Sequence, residues 1–264
     1  MTISVCSYGG GVQSTALLVL AAQGELDIKT FLFANVGDDS EHPATLRYVH
    51  DVAMPYATKH GITIIELHYT KKNGEKQTLL ENIMMPSQKG EIIPVRLGSG
   101  KPGIRACTVT WKIRTIGKWM RAHGASKAHP GVTAIGISLD EIQRMKPSQE
   151  TYRTNAYPLI DRRMNRQDCV KTIAHAGLQV PPKSSCWFCP FKRVKGWQEM
   201  AIVEPVLFQK AVDLEQFMNA RRISRGKDKV FLTDRKKSLD RVVGEQSQSK
   251  LFEAEPCDSG FCFL

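Results

Sequence analysis

The stretch Ser7-Tyr8-Gly9-Gly10-Gly11-Val12-Gln13-Ser14-Thr15 is the first whose residue types could do chemistry. Three consecutive glycines let backbone N–H groups come close to an anion. Ser14 and Thr15 can add hydroxyl donors, and a helix starting there adds a favourable dipole. That chemistry is phosphate binding, although a tight strand-to-helix turn also carries glycine for steric reasons alone. The run is neither a Walker A loop, which needs Gly-Lys-Ser/Thr, nor a Rossmann Gly-x-Gly-x-x-Gly.

The second such stretch is Cys186-Trp187-Phe188-Cys189-Pro190. A Cys-x-x-Cys turn points two thiolates at one place, which suits zinc, an iron–sulfur cluster or a redox dithiol. One pair cannot complete a tetrahedral site, and Cys107, Cys257 and Cys262 are candidates for the remainder. Cys6 and Cys169 fall in a strand and a helical stretch and read as small buried hydrophobes. Trp187, Phe188, Phe191 and Trp197 alternate with Lys192, Arg193 and Lys195. Exposed, that mixture would stack bases and hold phosphates; buried, the aromatics would pack over a metal site.

These residues need elements to position them. The first half of the chain alternates strand-like runs (3–8, 29–35, 62–67 and 132–137) with helical stretches (14–23 and 42–60), the latter interrupted by Pro55. Such alternation predicts an α/β fold, a parallel sheet with helices on both faces. Residues 70–105, rich in Lys, Gly and Pro, read as an irregular excursion, mobile over the active site. After about residue 160 the alternation stops, with helices expected near 166–176 and 194–220. The division this suggests is a nucleotide-binding domain over 1–160 and a smaller, mostly helical, cysteine-containing module over 161–264.

The 264 residues carry 37 Lys+Arg against 26 Asp+Glu, a net charge of +11. That surplus favours polyanionic partners, and the basic clusters Arg162-Arg163, Arg221-Arg222, Arg225-Gly226-Lys227 and Arg235-Lys236-Lys237 tilt the reading toward nucleic acid. No apolar run approaches the roughly 18–20 residues that span a bilayer, and the first residues lack the basic start of a signal peptide. The expectation is a cytoplasmic protein whose seven cysteines serve metal or redox chemistry, not disulfides. A homodimer is left open.

The glycine loop resembles the PP-loop, Ser-Gly-Gly-x-Asp-Ser, of the ATP-pyrophosphatase and PAPS-reductase superfamily. Gly9 stands where its first serine is usual and Gln13 where its aspartate is, and the PAPS-reductase branch is similar in carrying Gln. Three further blocks resemble that branch in order: Asn35 to Thr45 its Asp-Thr-Gly-x-x-x-Pro-x-Thr motif, Gly136 to Arg144 its Gly-x-Arg-x-x-Glu-x-x-x-Arg region with Ser138 replacing the first arginine, and Tyr157 to Pro182 its Pro-Leu-x-Asp to Gly-Leu-x-x-Pro-Pro stretch. The resemblance implies an adenine-nucleotide alpha-hydrolase-like fold. It implies that Ser7, Gly9, Gly10, Gly11, Gln13, Ser14 and Thr15 hold the phosphates of ATP with Mg2+. Phe33, Ala34, Asn35 and Gly37 would line the adenosine pocket, and Gly136 would admit the nucleotide. Gln13, Ser14, Lys112 and Arg144 would form the catalytic set, Arg144 facing the leaving pyrophosphate.

Arg105-x-Cys107-Thr108-x-x-x-Lys112 also resembles a segment of PAPS-reductase-like proteins that carry a downstream Cys-x-x-Cys-Pro. It implies a 4Fe-4S cluster on Cys107, Cys186, Cys189 and Cys262, with zinc as the alternative metal and Cys257 as the alternative fourth ligand. The whole is similar to the ATP-pyrophosphatase component of bacterial DNA phosphorothioation systems. That implies adenylation of a nucleic acid, DNA ahead of tRNA, for sulfur delivered by a cysteine desulfurase. A PAPS or APS reductase is the second reading, opposed by a tail without the Glu-Cys-Gly-x-His of those enzymes. A non-catalytic, zinc-containing nucleic-acid-binding module is the third.

Overall fold

The computed structural model describes residues 2–98 and 101–245. Its sheet grows from the apolar runs of the first half. Strand β1 (Ser4–Tyr8) leads through the glycines into α1 (Val12–Ala22), and β2 (Thr30–Asn35) follows. Alternate residues of β2 face opposite ways. Phe31 and Phe33 enter a core with Leu17, Leu18, Val49 and Ile173, while Leu32 and Ala34 enter a second core with Val5, Ile116 and Met120. Both faces of the sheet are therefore covered, and α1 is apolar almost all round because it is buried.

Residues 42–60 form one helical run in three parts: α2 (Pro43–Arg47), a π-helical segment (Tyr48–Ala53) and α3 (Met54–Lys59). Pro55 falls in the first turn of α3, where a missing N–H and the ring are accommodated by the wider π segment before it. Strand β3 (Thr63–His68) comes next. The chain then runs through α4 (Leu79–Met84), and a second π segment (Thr108–Ile113) leads into α5 (Arg114–Ala122), β4 (Gly131–Ile135), a 3-10 helix (Leu139–Arg144) and β5 (Arg153–Ala156). Helices α6 (Pro158–Asp161), α7 (Arg166–His175), α8 (Val194–Val203), α9 (Pro205–Ile223) and α10 (Leu239–Glu245) complete the described order.

All five strands are parallel, in the order β3-β2-β1-β4-β5. The expected α/β architecture is thus present, with one strand more than the apolar runs indicate. Strand β5, Arg-Thr-Asn-Ala, escapes a hydrophobic reading because it is a short, half-exposed edge strand. The chain moves outward from β1 through β2 to β3 and then returns to the other side of β1 as β4, so the crevice at the carboxyl ends of β1 and β4 is a topological switch point.

Chain contacts divide the molecule elsewhere than at residue 160. Of the described residues, one compact unit holds 2–77 and 108–185, and a second holds 78–107 and 186–245. Helix α7 belongs with the sheet because Cys169 and Ile173 sit in its core against α1. The expected excursion over 70–105 contributes α4, capped by Thr78 and Glu81, to the second unit. The single helix expected over 194–220 is two, since Glu204 leaves helical geometry and Pro205 opens α9.

Within the second unit, α9 ends in a clamp. Arg221 pairs with Glu91 at 2.8 Å and donates to the carbonyls of Ile83 and Met85; Arg225 donates to those of Pro86 and Gln88, and Lys227 to that of Lys89. Members of three of the four basic clusters, Arg162 on Glu25 O included, therefore bind the chain's own backbone. Among the described residues no helix is long and apolar enough to cross a membrane.

Candidate functional site

At the end of β1 the glycine loop is held by its own neighbours. Gly10 adopts φ 69°, a conformation natural to glycine, and a Cβ there would lie 3.0 Å from both Thr45 and Val49 methyls. A Cβ on Gly11 would stand 2.7 Å from Ser184 Oγ. Ser14 Oγ accepts from the N–H groups of Gly9 and Gly11, each at 3.2 Å, and donates to Gly11 O at 3.1 Å. Thr15, fully buried, bonds the Tyr8 hydroxyl at 3.2 Å. Both hydroxyls thus bond within the loop and to the end of β1. At the start of α1 the first backbone N–H groups have no acceptors within the helix, the chemistry that an anion would use. Ser7, at the end of β1, is 8% exposed.

Gly136 lies after β4, and a Cβ on it would meet Ser14 N at 2.9 Å and Gln13 C at 3.0 Å. The absence of a side chain at Gly136 permits a close approach of the loop's backbone.

Gln13 joins the loop to the 3-10 helix. Its Nε2 donates to Ser138 Oγ at 3.3 Å and to Glu141 Oε2 at 3.4 Å, while its Oε1 accepts from Arg166 at 3.5 Å. Glu141 in turn holds Arg144 at 2.7 Å, and both residues are at most 5% exposed. Arg144 is therefore neither a solvated helix residue nor an open cation; its Nε is buried without a hydrogen-bond partner. Lys112, in the second π segment, faces the buried carboxylate of Glu41 at 3.3 Å.

The carboxyl end of β2 is acidic. Phe33 and Ala34 are buried, and Asn35, 1% exposed, donates from Nδ2 to Asp38 at 2.7 Å and Glu66 at 2.6 Å while accepting from Gly37 N–H at 2.8 Å. Glu66 also meets His50 Nε2 at 2.9 Å. Asp38, Glu41, Glu66, Arg166 and Ser184 escaped the reading of the sequence. Glu66 did leave a signal, the one charge in the run Ile64-Ile65-Glu66-Leu67.

The cysteines divide by environment. Burial pushes the Cys6 thiol far up and Cys169 to about 12, with Asp140 and Asp168 adding to the latter, so both are inert. Cys107, Cys186 and Cys189 are half-buried in the second unit. The Cys-x-x-Cys turn is closed by Cys189 N–H donating to Cys186 O at 3.2 Å, and Cys107 N–H bonds Ile92 O at 2.9 Å. Among the described residues no three His, Cys, Asp or Glu side chains meet as a metal site; Cys257 and Cys262 lie outside those residues. Trp187, Phe188 and Trp197 are buried, and Arg96 and Arg105 lie over the Phe191 ring at 5.6 and 5.1 Å. Trp187, Phe188 and Trp197 thus pack inward, whereas Phe191 stays partly exposed.

No protein-family model matches the chain, and no curated protein matches it. Among solved structures the chain is similar to the U34-tRNA thiolase NcsA from Methanococcus maripaludis with its 4Fe-4S cluster, at 13% identity and a TM-score of 0.43, over 82% of this chain and 72% of that one. Likeness at this level leaves the chemistry of the site to its own residues.

Proposed function

We propose that the protein is a PP-loop ATP pyrophosphatase that activates a nucleic acid for sulfur incorporation, with DNA phosphorothioation as the leading reaction and tRNA thiolation as its close variant. The observation that carries this reading is the glycine loop. It joins β1 to the N-terminus of α1 at the switch point of a parallel sheet, with Gly10 left-handed. The four motif blocks add the identity of the nucleotide, and the charge of +11 adds the polyanionic acceptor.

In the reaction a substrate oxygen attacks the α-phosphorus of ATP. A new P–O bond forms, the bond to the bridging oxygen breaks, and its electron pair leaves with pyrophosphate. The loop amides hold the phosphates and the α1 dipole favours their charge. Lys112, kept in place by Glu41, is a second source of positive charge on the same unit. Mg2+ would neutralise the phosphates when bound.

Cys107, Cys186, Cys189 and Cys262 are assigned to the metal centre, a 4Fe-4S cluster ahead of zinc. The thiol chemistry of the half-buried Cys-x-x-Cys turn suits either; were only three of the four cysteines to bind a cluster, its free iron position would serve the sulfur being transferred. The test is pyrophosphate release from ATP by anaerobically purified protein, alone and with DNA or tRNA. Release stimulated by one nucleic acid establishes the reaction and its acceptor; bound ATP without release under any condition overturns the reading.

A further inference from the structure

We infer that Arg166, and not Arg144, is the cation that meets the leaving pyrophosphate, an inference that rests on the ATP-pyrophosphatase reading. The motif that suggests Arg144 is legible in the sequence, but the fold withdraws that side chain. Arg144 is 4% exposed and its guanidinium is held by Glu141 at 2.7 Å. Moving it to a phosphate would take from a buried carboxylate the cation that pairs with it.

Arg166 has the opposite situation. It is half-exposed, at the first position of α7, and its guanidinium makes one long hydrogen bond, 3.5 Å to Oε1 of Gln13 in the phosphate loop. A bond of that length is at the limit of the interaction and easily exchanged for an anion. Its backbone is fixed, because Arg166 N–H donates to Asp140 at 2.9 Å and Asn165 with Asp168 caps the helix. A cation at a helix N-terminus opposes the helix dipole, a placement that stability alone does not favour.

Ser138 gives a second, independent reason. It is fully buried where the resembling motif has arginine, and it bonds the same Gln13 side chain at 3.3 Å. The charge missing from residue 138 is thus supplied to the same neighbourhood from another element, 28 positions along the chain. As the α-phosphorus bond to the bridging oxygen breaks, negative charge grows on pyrophosphate. Arg166 would release Gln13 and donate to that oxygen set.

The experiment compares wild type, R166A, R166K and R144A in the full chain. Binding of magnesium pyrophosphate and of AMP is measured by calorimetry, beside pyrophosphate release and thermal melting. The expected result for R166A is pyrophosphate binding weakened at least ~10-fold and turnover slowed ~100-fold or more, with AMP binding and melting unchanged. R166K should recover part of both losses. R144A should lower the melting temperature. Wild-type protein that binds pyrophosphate with an affinity R166A shares overturns the inference alone. Wild-type protein that binds neither ATP nor pyrophosphate overturns the ATP reading on which it stands.

Discussion

Ser14 illustrates how a residue can keep its place in a motif and change its task. Its hydroxyl satisfies two loop N–H groups that would otherwise be left without acceptors. Ser14→Ala should therefore cost about 1–3 kcal/mol of stability and slow pyrophosphate release, and chemical denaturation beside turnover would show both. Slow release at full stability would instead mean that the hydroxyl touches the nucleotide. Gly10→Ala tests the backbone at the same scale. A left-handed φ and two methyl groups at 3.0 Å oppose the new Cβ, so a loss of about 1–3 kcal/mol and of ATP binding is expected; calorimetry giving wild-type affinity would remove the loop from the phosphate site.

Helix α9 works as a unit through buried charge. Glu215 accepts from the N–H groups of Leu232 at 2.7 Å and Leu239 at 2.8 Å, tying the chain before α10 to α9. Burial raises its carboxyl to about 7 against an ordinary 4.5, the two backbone bonds opposing that rise. The folded state therefore binds the proton more tightly than the unfolded one. The stabilisation is complete below the unfolded value and is lost as pH rises through about 7. Melting temperatures taken across that interval should fall for wild type and stay flatter for Glu215→Gln; parallel curves would mean that the carboxyl does not titrate there. At the end of the same helix, Arg221→Ala leaves Glu91 buried without its main partner, with Arg222 at 3.9 Å as the other cation. A loss of about 3–5 kcal/mol is expected, with earlier proteolysis across residues 83–91 as the readout.

For the whole molecule the net charge matters less than where it resides. Arg221, Arg225 and Lys227 bind carbonyls of the 83–89 segment, whereas Arg235, Lys236 and Lys237 are exposed. Replacing the exposed three by Ala should weaken nucleic-acid binding and flatten its salt dependence, the slope falling by about 0.7–0.9 for each phosphate that is no longer neutralised. An unchanged slope would place the nucleic acid on another surface. The proposed metal centre would also be a property of the whole chain, because the cysteines assigned to it come from three stretches of sequence. Cys186→Ala should lower the iron and sulfide content of anaerobically purified protein, and full occupancy would strike Cys186 from the ligand set.

The parallel sheet and the glycine loop were legible in the residues because their causes are local: runs of buried apolar residues, and glycines at the end of one such run. Buried thiols at Cys6 and Cys169 followed from the same local patterns, and the structure raises both. The split between α8 and α9 has a local cause at Pro205, but strand β5 and the return of 78–107 to the second unit depended on neighbours distant in sequence. So did the partners of charge. Arg144 lies against Glu141, Arg166 beside Gln13, and Arg221 against Glu91, and no periodicity records pairs separated by more than a hundred positions, as the last two are. Residue types show which groups can carry charge or bind phosphate. Only the tertiary structure decides which of them are neutralised by a buried partner and which still face the crevice.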